Sequence, residues 1–327
     1  MRALVTGGRG FIGSTLIEHL IAQGFDVTCL LRHSRKGLGW LDGVHFDHIE
    51  GDLSNRTALK QAVTGVDYVF HLAALTKAYK QEEFIRVNVE GTKSLLQAIG
   101  ENNPKLKKFI LVSSLAAAGP SISGQSLSEE DKSFPISNYG RSKLEAEKAT
   151  LSYDSEFPVC VVRPPAVYGP RDKDMFTIFK MTKQGWLPRL GGRMRVASLI
   201  HVDDLVSGIR LAACNPVSNG QLYYLSNEDD YAWEEVESLV AELMGTFPKK
   251  IQIPIAFAFL FCLSSGLISR VTKRPALFNL DKYRELKETH WICNSATARQ
   301  ELGFQTRYSL KEGFMQTLEW YREHGWI

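Results

Sequence analysis

The chain has 327 residues and a mass of 36.7 kDa, enough to bury a large core in one big domain or two closely joined ones. With 44% hydrophobic and 23% charged residues it reads as an ordinary globular protein, and a net charge of +3 without a long basic run argues against nucleic acid as a partner. Five scattered cysteines (Cys29, Cys160, Cys214, Cys262 and Cys293), with no C-x-x-C among them, argue against a disulfide framework or a zinc site and fit a reducing compartment, so a cytoplasmic setting is expected.

Residues 3–6 (Ala-Leu-Val-Thr) form an apolar run that reads as a strand, so no signal peptide is expected. The run leads into Gly7-Gly8-Arg9-Gly10-Phe11-Ile12-Gly13, and a helical pattern follows to about Gln23, with Gly24 as its stop. A G-x-x-G-x-x-G between strand and helix permits a tight turn and lets the backbone approach a phosphate at the helix N-terminus. Gly7, Gly10, Phe11, Ile12 and Gly13 are therefore candidate dinucleotide contacts. Residues 26–31 are the second strand. Where an acid would take the ribose hydroxyls of NAD, Arg32 follows instead, then His33, Ser34, Arg35 and Lys36. A cation there suits the 2′-phosphate of NADP, with NAD still open; Arg35 and Lys36 read equally well as solvated loop.

A third strand is expected over 44–49. Asp52, followed by Leu53, stands where it can accept from an adenine amine or cap the next helix. A fourth strand, 66–70, ends in His71-Leu72-Ala73-Ala74. Small Ala73 and Ala74 let the backbone lie against a cofactor, whereas His71 reads as a structural hydrogen-bonding group. A long helix is expected over 81–101 and contains Asn88. A fifth strand over 109–112 ends in Ser113-Ser114. A helix beginning near Ser137 or Asn138 then carries Tyr139 and Lys143, four residues apart on one face. An ammonium beside a phenol at 4 Å is worth about 4 kcal/mol at a dielectric near 20, enough to bring the Tyr139 pKa down toward the working range of an acid/base. Alone, the Tyr-x-x-x-Lys spacing is short and equally fits an ordinary amphipathic helix. A sixth strand over 158–162 leads into Arg163. Strands alternating with helices in this rhythm predict an α/β fold, a doubly wound parallel sheet, with ligands beyond the carboxyl ends of the strands. The glycine turn, Arg32, Asp52, Ala73, Ser114 and Arg163 all fall at such ends.

Beyond Arg171 the alternation loosens. A dinucleotide-binding domain is expected over 1–168, with returning segments about 198–226, and a smaller interwoven substrate domain over 169–197 and 227–327. Residues 175–179 form an apolar helical segment that fits a pocket wall or the core. The most apolar stretch, 253–263, falls short of the roughly 20 residues a membrane span needs. A buried helix is the favoured reading there; a pocket wall or membrane contact over 253–268 is the minority one.

T-G-x-x-G-F-I-G at 6–13, H-L-A-A at 71–74, N-V-x-G-T at 88–92, S-S at 113–114, Y-G-x-S-K at 139–143, R-P-x-x-V-Y-G-P at 163–170 and H-V-D-D at 201–204 resemble, in order and over about two-thirds of the chain, the extended short-chain dehydrogenase/reductase family, also called the NAD(P)-dependent epimerase/dehydratase family. The pattern is nearest to dihydroflavonol reductase-like and 3β-hydroxysteroid dehydrogenase-like members. The resemblance implies a catalytic set of Ser114, Tyr139 and Lys143, with Ser113 the nearest misalignment, Lys143 also holding the nicotinamide ribose, and Asn88 anchoring a proton path. It implies an oxidoreductase acting on the carbonyl or secondary alcohol of a small, fairly apolar substrate, and a homodimer through helices near 81–101 and 138–154. Nucleotide-sugar epimerases and dehydratases are the alternative. Such members usually carry Asn where this chain has Ala166, and Arg-Asp where it has Ala197-Ser198. A diphosphate needs polar donors, so these departures favour the oxidoreductase, although Arg171, Arg193 or Arg195 can substitute. No metal is implied.

Overall fold

A computed structural model of the chain describes residues 1–34, 37–191, 193–272 and 280–327. The first half alternates as expected: β1 (Arg2–Thr6), α1 (Phe11–Ala22), β2 (Asp26–Leu31), β3 (Asp47–Glu50), α2 (Arg56–Val63), β4 (Tyr68–His71), α3 (Gln81–Phe84), α4 (Gly91–Asn102), β5 (Lys108–Val112), α5 (Leu115–Ala118), α6 (Asn138–Leu151) and β6 (Val159–Arg163). The second half adds β7 (Ala166–Tyr168), α7 (Lys173–Lys183), β8 (Trp186–Leu190), β9 (Val196–His201), α8 (Val202–Cys214), β10 (Gln221–Tyr224), β11 (Asp230–Ala232), α9 (Trp233–Met244), β12 (Lys249–Ile253), α10 (Ile255–Thr272), α11 (Leu280–Lys287), β13 (His290–Trp291), α12 (Ala296–Leu302) and α13 (Leu310–Glu323).

Seven strands form one parallel sheet in the order β10-β6-β5-β4-β1-β2-β3. The strands at its centre are apolar in their middles because helices cover both faces: Val5, Phe70, Ile110 and Val162 bury on one side with α1 and α8, and Leu4, Val69, Leu111 and Val161 on the other with α2 and α4. The strand order reverses between β1 and β4. Thr6 pairs with His71 there, so the glycine turn and the 71–74 segment open side by side at the crevice where such sheets take ligands.

Strand β9 does not join this sheet. It lies in a second sheet with β7, β11 and β13, while α8 and β10 return to the large one. A third, two-stranded parallel pair joins β12 to β8. The H-V-D-D motif turns out to be a splice: His201 caps α8, and the buried Asp204 carboxylate accepts from the backbone N–H groups of Arg307 and Tyr308, at 3.0 and 3.2 Å, tying the tail to the core.

Two expectations are corrected. The single helix over 81–101 is broken: residues Ile85–Glu90 wind as a wider π turn between α3 and α4, and Asn88 lies within it. The apolar stretch 253–263 is a helix but is not buried. Among its described residues Ala258 and Cys262 are covered, while Phe257 (64% exposed), Leu260 (57%) and Phe261 (58%) face outward. Its inward stripe is two small residues wide, so the large side chains have nowhere inward to go. Among the described residues no helix is long and apolar enough to cross a membrane.

Candidate active site

The glycine turn is built for close approach of backbone to backbone. Gly7 has φ +81°, and a Cβ there would lie 2.7 Å from the Ala73 nitrogen; a Cβ on Gly13 would lie 2.3 Å from the Gly7 oxygen. These two glycines seat the turn against β4 and against itself. Gly10 differs: a Cβ would meet only the Gly7 oxygen at 3.2 Å. It is the N-cap of α1, makes no side-chain cap, and no acidic residue stands in the first turn. An uncapped helix N-terminus behind a turn of glycines fits the pyrophosphate of a dinucleotide.

The rim of this cradle carries the expected cation. Arg32 is exposed just after β2, and the Arg9 guanidinium from the glycine turn donates to the Arg32 carbonyl at 2.5 Å, which places a second cation at the same spot. Asp52 does not cap α2; Asn55 does. The Asp52 carboxylate accepts instead from the Ser54 hydroxyl and N–H, at 2.6 and 2.9 Å, and these bonds, with a lesser contribution from Arg32, hold its pKa below the usual range. Leu53 lies against Gly91, where an added Cβ would be 2.8 Å from its Cδ1.

His71 is a structural joint, as expected. Thr92 donates to the Asn88 carbonyl at 2.7 Å, so its oxygen accepts from His71 Nε2 at 2.9 Å, and His71 Nδ1 in turn accepts from Thr6 Oγ1 at 2.7 Å. Burial, and then the Lys143 charge, push the His71 pKa down to about 3, so the ring stays neutral.

Helix α6 brings Tyr139 and Lys143 to the end of β5. Ser137 caps it, its hydroxyl accepting from the Gly140 N–H at 3.1 Å. Gly140 is required by packing, since a Cβ there would lie 2.2 Å from the Ala116 oxygen, and α5 thereby seats directly on α6. The two serines separate cleanly. The Ser113 hydroxyl is buried and donates to Glu147. Ser114 caps α5, accepting from the Ala116 N–H at 3.2 Å, and its hydroxyl is hydrogen-bonded with Tyr139. Phe84 closes the other side of the Tyr139 ring, 6.3 Å between centroids.

Electrostatics depart from the expectation in one respect. Burial pushes Tyr139 up to about 12, the Ser114 bond opposing, and Lys143 makes no contribution to that shift. The reason is where the ammonium goes: Lys143 Nζ donates to the Val112 carbonyl at 2.8 Å, below the phenol, and burial pulls its own pKa down to about 8, with Glu147 opposing. Tyr139 is thus held as a neutral phenol and Lys143 as a weakened ammonium. Asn88 is spent as a brace. Its amide donates to the Leu75 carbonyl (3.0 Å) and to Ser142 Oγ (2.9 Å), and its oxygen accepts from the Leu75 N–H (2.7 Å), which leaves one oxygen lone pair for any relay.

Beneath these groups lies a pair that sequence reasoning passed over. Glu147 accepts from Arg163 Nε at 2.9 Å and from Nη2 at 2.7 Å, both side chains almost fully buried, and Arg163 also donates to Tyr224 and Ser133. Glu147 stands four residues beyond Lys143 on the same face, the one signal that could have found it.

Two polar groups that follow the sixth strand are engaged within the protein itself. Arg171 has φ +76° and its guanidinium is committed to Glu18 (2.8 Å) and Ser14 (3.0 Å) on α1. Ser198 is committed to Asp230 and to the Cys293 N–H. A cleft of about 510 Å³ is lined by Arg141, Arg284 and Lys287 together with Glu288; Ser114, Tyr139 and Lys143 are not among its lining residues.

A model of the NAD dependent epimerase/dehydratase family matches residues 3–225. The chain belongs to this family. Members of the family include reductases, epimerases and dehydratases. Among its relatives, a ceramide reductase of Caulobacter vibrioides is 33% identical, the alignment covering 99% of this chain and 95% of that one. A 4-hydroxy-2-methyl-3-oxo-4-farnesyl-3,4-dihydroquinoline-1-oxide ketoreductase of Stigmatella aurantiaca is 29% identical over 96% and 94%. Among solved structures, MoeE5 in complex with UDP-glucuronic acid and NAD is 25% identical, covers 99% of this chain and 100% of its own, and superposes with a TM-score of 0.78.

Proposed function

We propose that the chain is an NADP(H)-dependent oxidoreductase that transfers hydride between the nicotinamide and the carbonyl or secondary alcohol of a fairly apolar, lipid-like substrate. The observation that carries this over the epimerase or dehydratase reading is that the usual diphosphate donors are not in place: Ala166 and Ala197-Ser198 stand at their positions, and Arg171, one of the possible substitutes, is paired with Glu18. The names of the two reductase relatives support the same choice.

The dinucleotide, when bound, supplies or accepts the hydride. The cradle of Gly7, Gly10, Phe11, Ile12 and Gly13 would take its pyrophosphate, Asp52, Leu53, Ala73 and Ala74 its adenosine side, and Lys143 the nicotinamide ribose. Arg32 and Arg9 would take a 2′-phosphate, for which a dianion requires a cation, hence NADP over NAD. Ser114 Oγ donates to the carbonyl oxygen as negative charge grows on it. Tyr139 gives that oxygen a proton, and its high pKa keeps the proton available. In oxidation the same two groups work in reverse. The Glu147–Arg163 pair holds Ser113 out of the way and fixes the face of α6. The substrate side would be supplied by residues 169–197 and 227–327, and a homodimer through the 81–101 and 138–154 helices belongs to the same proposal.

The test is consumption of NADPH, and separately of NADH, by the purified protein with long-chain ketones and with UDP-hexoses. NADPH-dependent reduction of an apolar ketone is expected, with NADH poorer. Interconversion of a UDP-hexose without net loss of reduced cofactor would replace this reading with the epimerase one.

A further inference from the structure

Helix α11 is anchored to the Tyr139 helix at one end and to the second sheet at the other. Asp281, in its first turn, accepts from the backbone N–H of Asn138 at 2.6 Å, so an acid sits at the N-terminus of α6 beside Tyr139. At the far end the Trp291 indole donates to the Glu285 carbonyl at 3.2 Å, and the Arg195 guanidinium donates to the Leu286 carbonyl at 3.3 Å. Glu285 stands four residues beyond Asp281 and so shares the face of α11 that meets the first turn of α6. Its side chain is only 19% exposed.

The Glu285 carboxylate is felt at the reaction centre. After burial and the opposing Ser114 bond, its charge is the next influence on the Tyr139 phenol, raising the pKa as burial does. It acts more strongly there than Glu147, which lies on α6 itself and accepts from the neighbouring Ser113. The two acids also differ in their partners. Glu147 is matched by Arg163 in a buried pair. Glu285 is matched by Lys282, three residues back at 3.0 Å with its side chain half exposed, an ion pair of the solvent-screened kind. A carboxylate offers roughly four acceptor positions, and Lys282 takes one of them.

Lys143 is held on the sheet side of the site by the Val112 carbonyl of β5, whereas α11 belongs to the 227–327 segment proposed above to form the substrate side. A substrate oxygen bonded to Ser114 and Tyr139 then has Glu285 nearby. A fixed negative charge there repels carboxylates and phosphates and attracts a hydrogen-bond donor. We propose that Glu285 is a specificity-determining residue: it accepts a hydrogen bond from a hydroxyl or amide N–H next to the substrate carbonyl, so the preferred substrate is an apolar ketone bearing such a donor. The ketone rests on the reduction proposed above; recognition of the donor by Glu285 does not depend on turnover.

The test is titration calorimetry of the full chain saturated with NADP⁺, and in parallel with NAD⁺, using a long-chain ketone with a hydroxyl on the neighbouring carbon, its methyl ether and the matching α-oxo acid. The hydroxyketone should bind at least roughly tenfold tighter than the ether, and the oxo acid should bind most weakly. Glu285→Ala should bring the hydroxyketone and the ether to within about threefold of each other, and Glu285→Gln should strengthen the oxo acid at least roughly tenfold. Thermal unfolding of both variants should stay close to wild type, because Asp281 and the two backbone carbonyls keep the anchors of α11. Lys282→Gln removes the exposed pair with Glu285 and should leave the preference for hydroxyketone over ether in place. Equal binding of hydroxyketone and ether by the wild type overturns the proposal, as does a Glu285→Ala preference as large as the wild-type one. So does loss of the preference in Lys282→Gln, which would make the ion pair rather than the carboxylate responsible, and so does a chain that binds none of the three ligands. A preference for the hydroxyketone without consumption of NADPH or NADH would refute the reduction and still support Glu285 as the acceptor.

Discussion

Lys143→Met separates what the lysine costs the fold from what it does for catalysis. Methionine keeps most of the side-chain volume and removes the buried ammonium. In the folded protein burial moves the Lys143 pKa from 10.5 to about 8, a penalty of about 3 kcal/mol on the charged form at pH 7. Because the folded pKa is depressed, the unfolded chain binds more protons between pH 8 and 10.5, and wild-type stability should rise as the pH climbs through that window. From pH 7 to 9.5 roughly 2 kcal/mol of the penalty is relieved. The variant lacks the titration, although losing the bond to the Val112 carbonyl costs it about 1 kcal/mol at every pH. Urea unfolding of both proteins at pH 7.0 and 9.5 should therefore show wild type gaining about 2 kcal/mol relative to Lys143→Met. The variant should be as stable as wild type or more so at pH 7, and nearly inactive. A wild type-minus-variant difference that stays flat across this range would mean that the ammonium is solvated in the folded protein and that its depressed pKa is wrong.

Tyr139→Phe keeps the ring against Phe84 and removes only the hydroxyl, so folding and NADPH binding should hold while kcat falls about 10²–10⁴-fold; stopped-flow turnover within a few-fold of wild type would show the acid to be elsewhere. Ser114→Ala should lower kcat with little change in stability, whereas Ser113→Ala should leave kcat within a few-fold and destabilise by about 1 kcal/mol, because its hydroxyl serves the buried Glu147; steady-state kinetics beside thermal melts tell them apart. Gly10→Val should fold, since its Cβ meets only one atom of the protein, yet lose NADPH affinity at least about tenfold by fluorescence titration, because the side chain would occupy the phosphate's place.

Local chemistry was legible in the sequence; long-range commitments were not. The glycine turn, the strand ending at Leu31 and the Ser137 cap are each specified within a dozen residues, and the structure has them where the pattern says. The resemblance put the catalytic hydroxyl on Ser114, but that the Ser113 hydroxyl is already engaged became visible only through Glu147, thirty-four residues on. The direction of the Tyr139 pKa followed from burial and from the Val112 carbonyl, which takes the ammonium; a four-residue spacing reveals neither. The apolar stretch at 253–263 misled because a run without polar residues has no periodicity, so a buried helix and an exposed one read alike.

The wide turn at Ile85–Glu90 holds one more residue than an α-helix would use for the same path. Deleting a single residue there would let the segment rewind into a regular helix along the same path, so Phe84 before it and Leu95, Leu96 and Ile99 beyond it would keep their faces. The extra residue therefore shapes the wide turn itself, where Asn88 braces Leu75 and Ser142. A one-residue deletion in this turn would disturb that brace while leaving the core face of α4 in place.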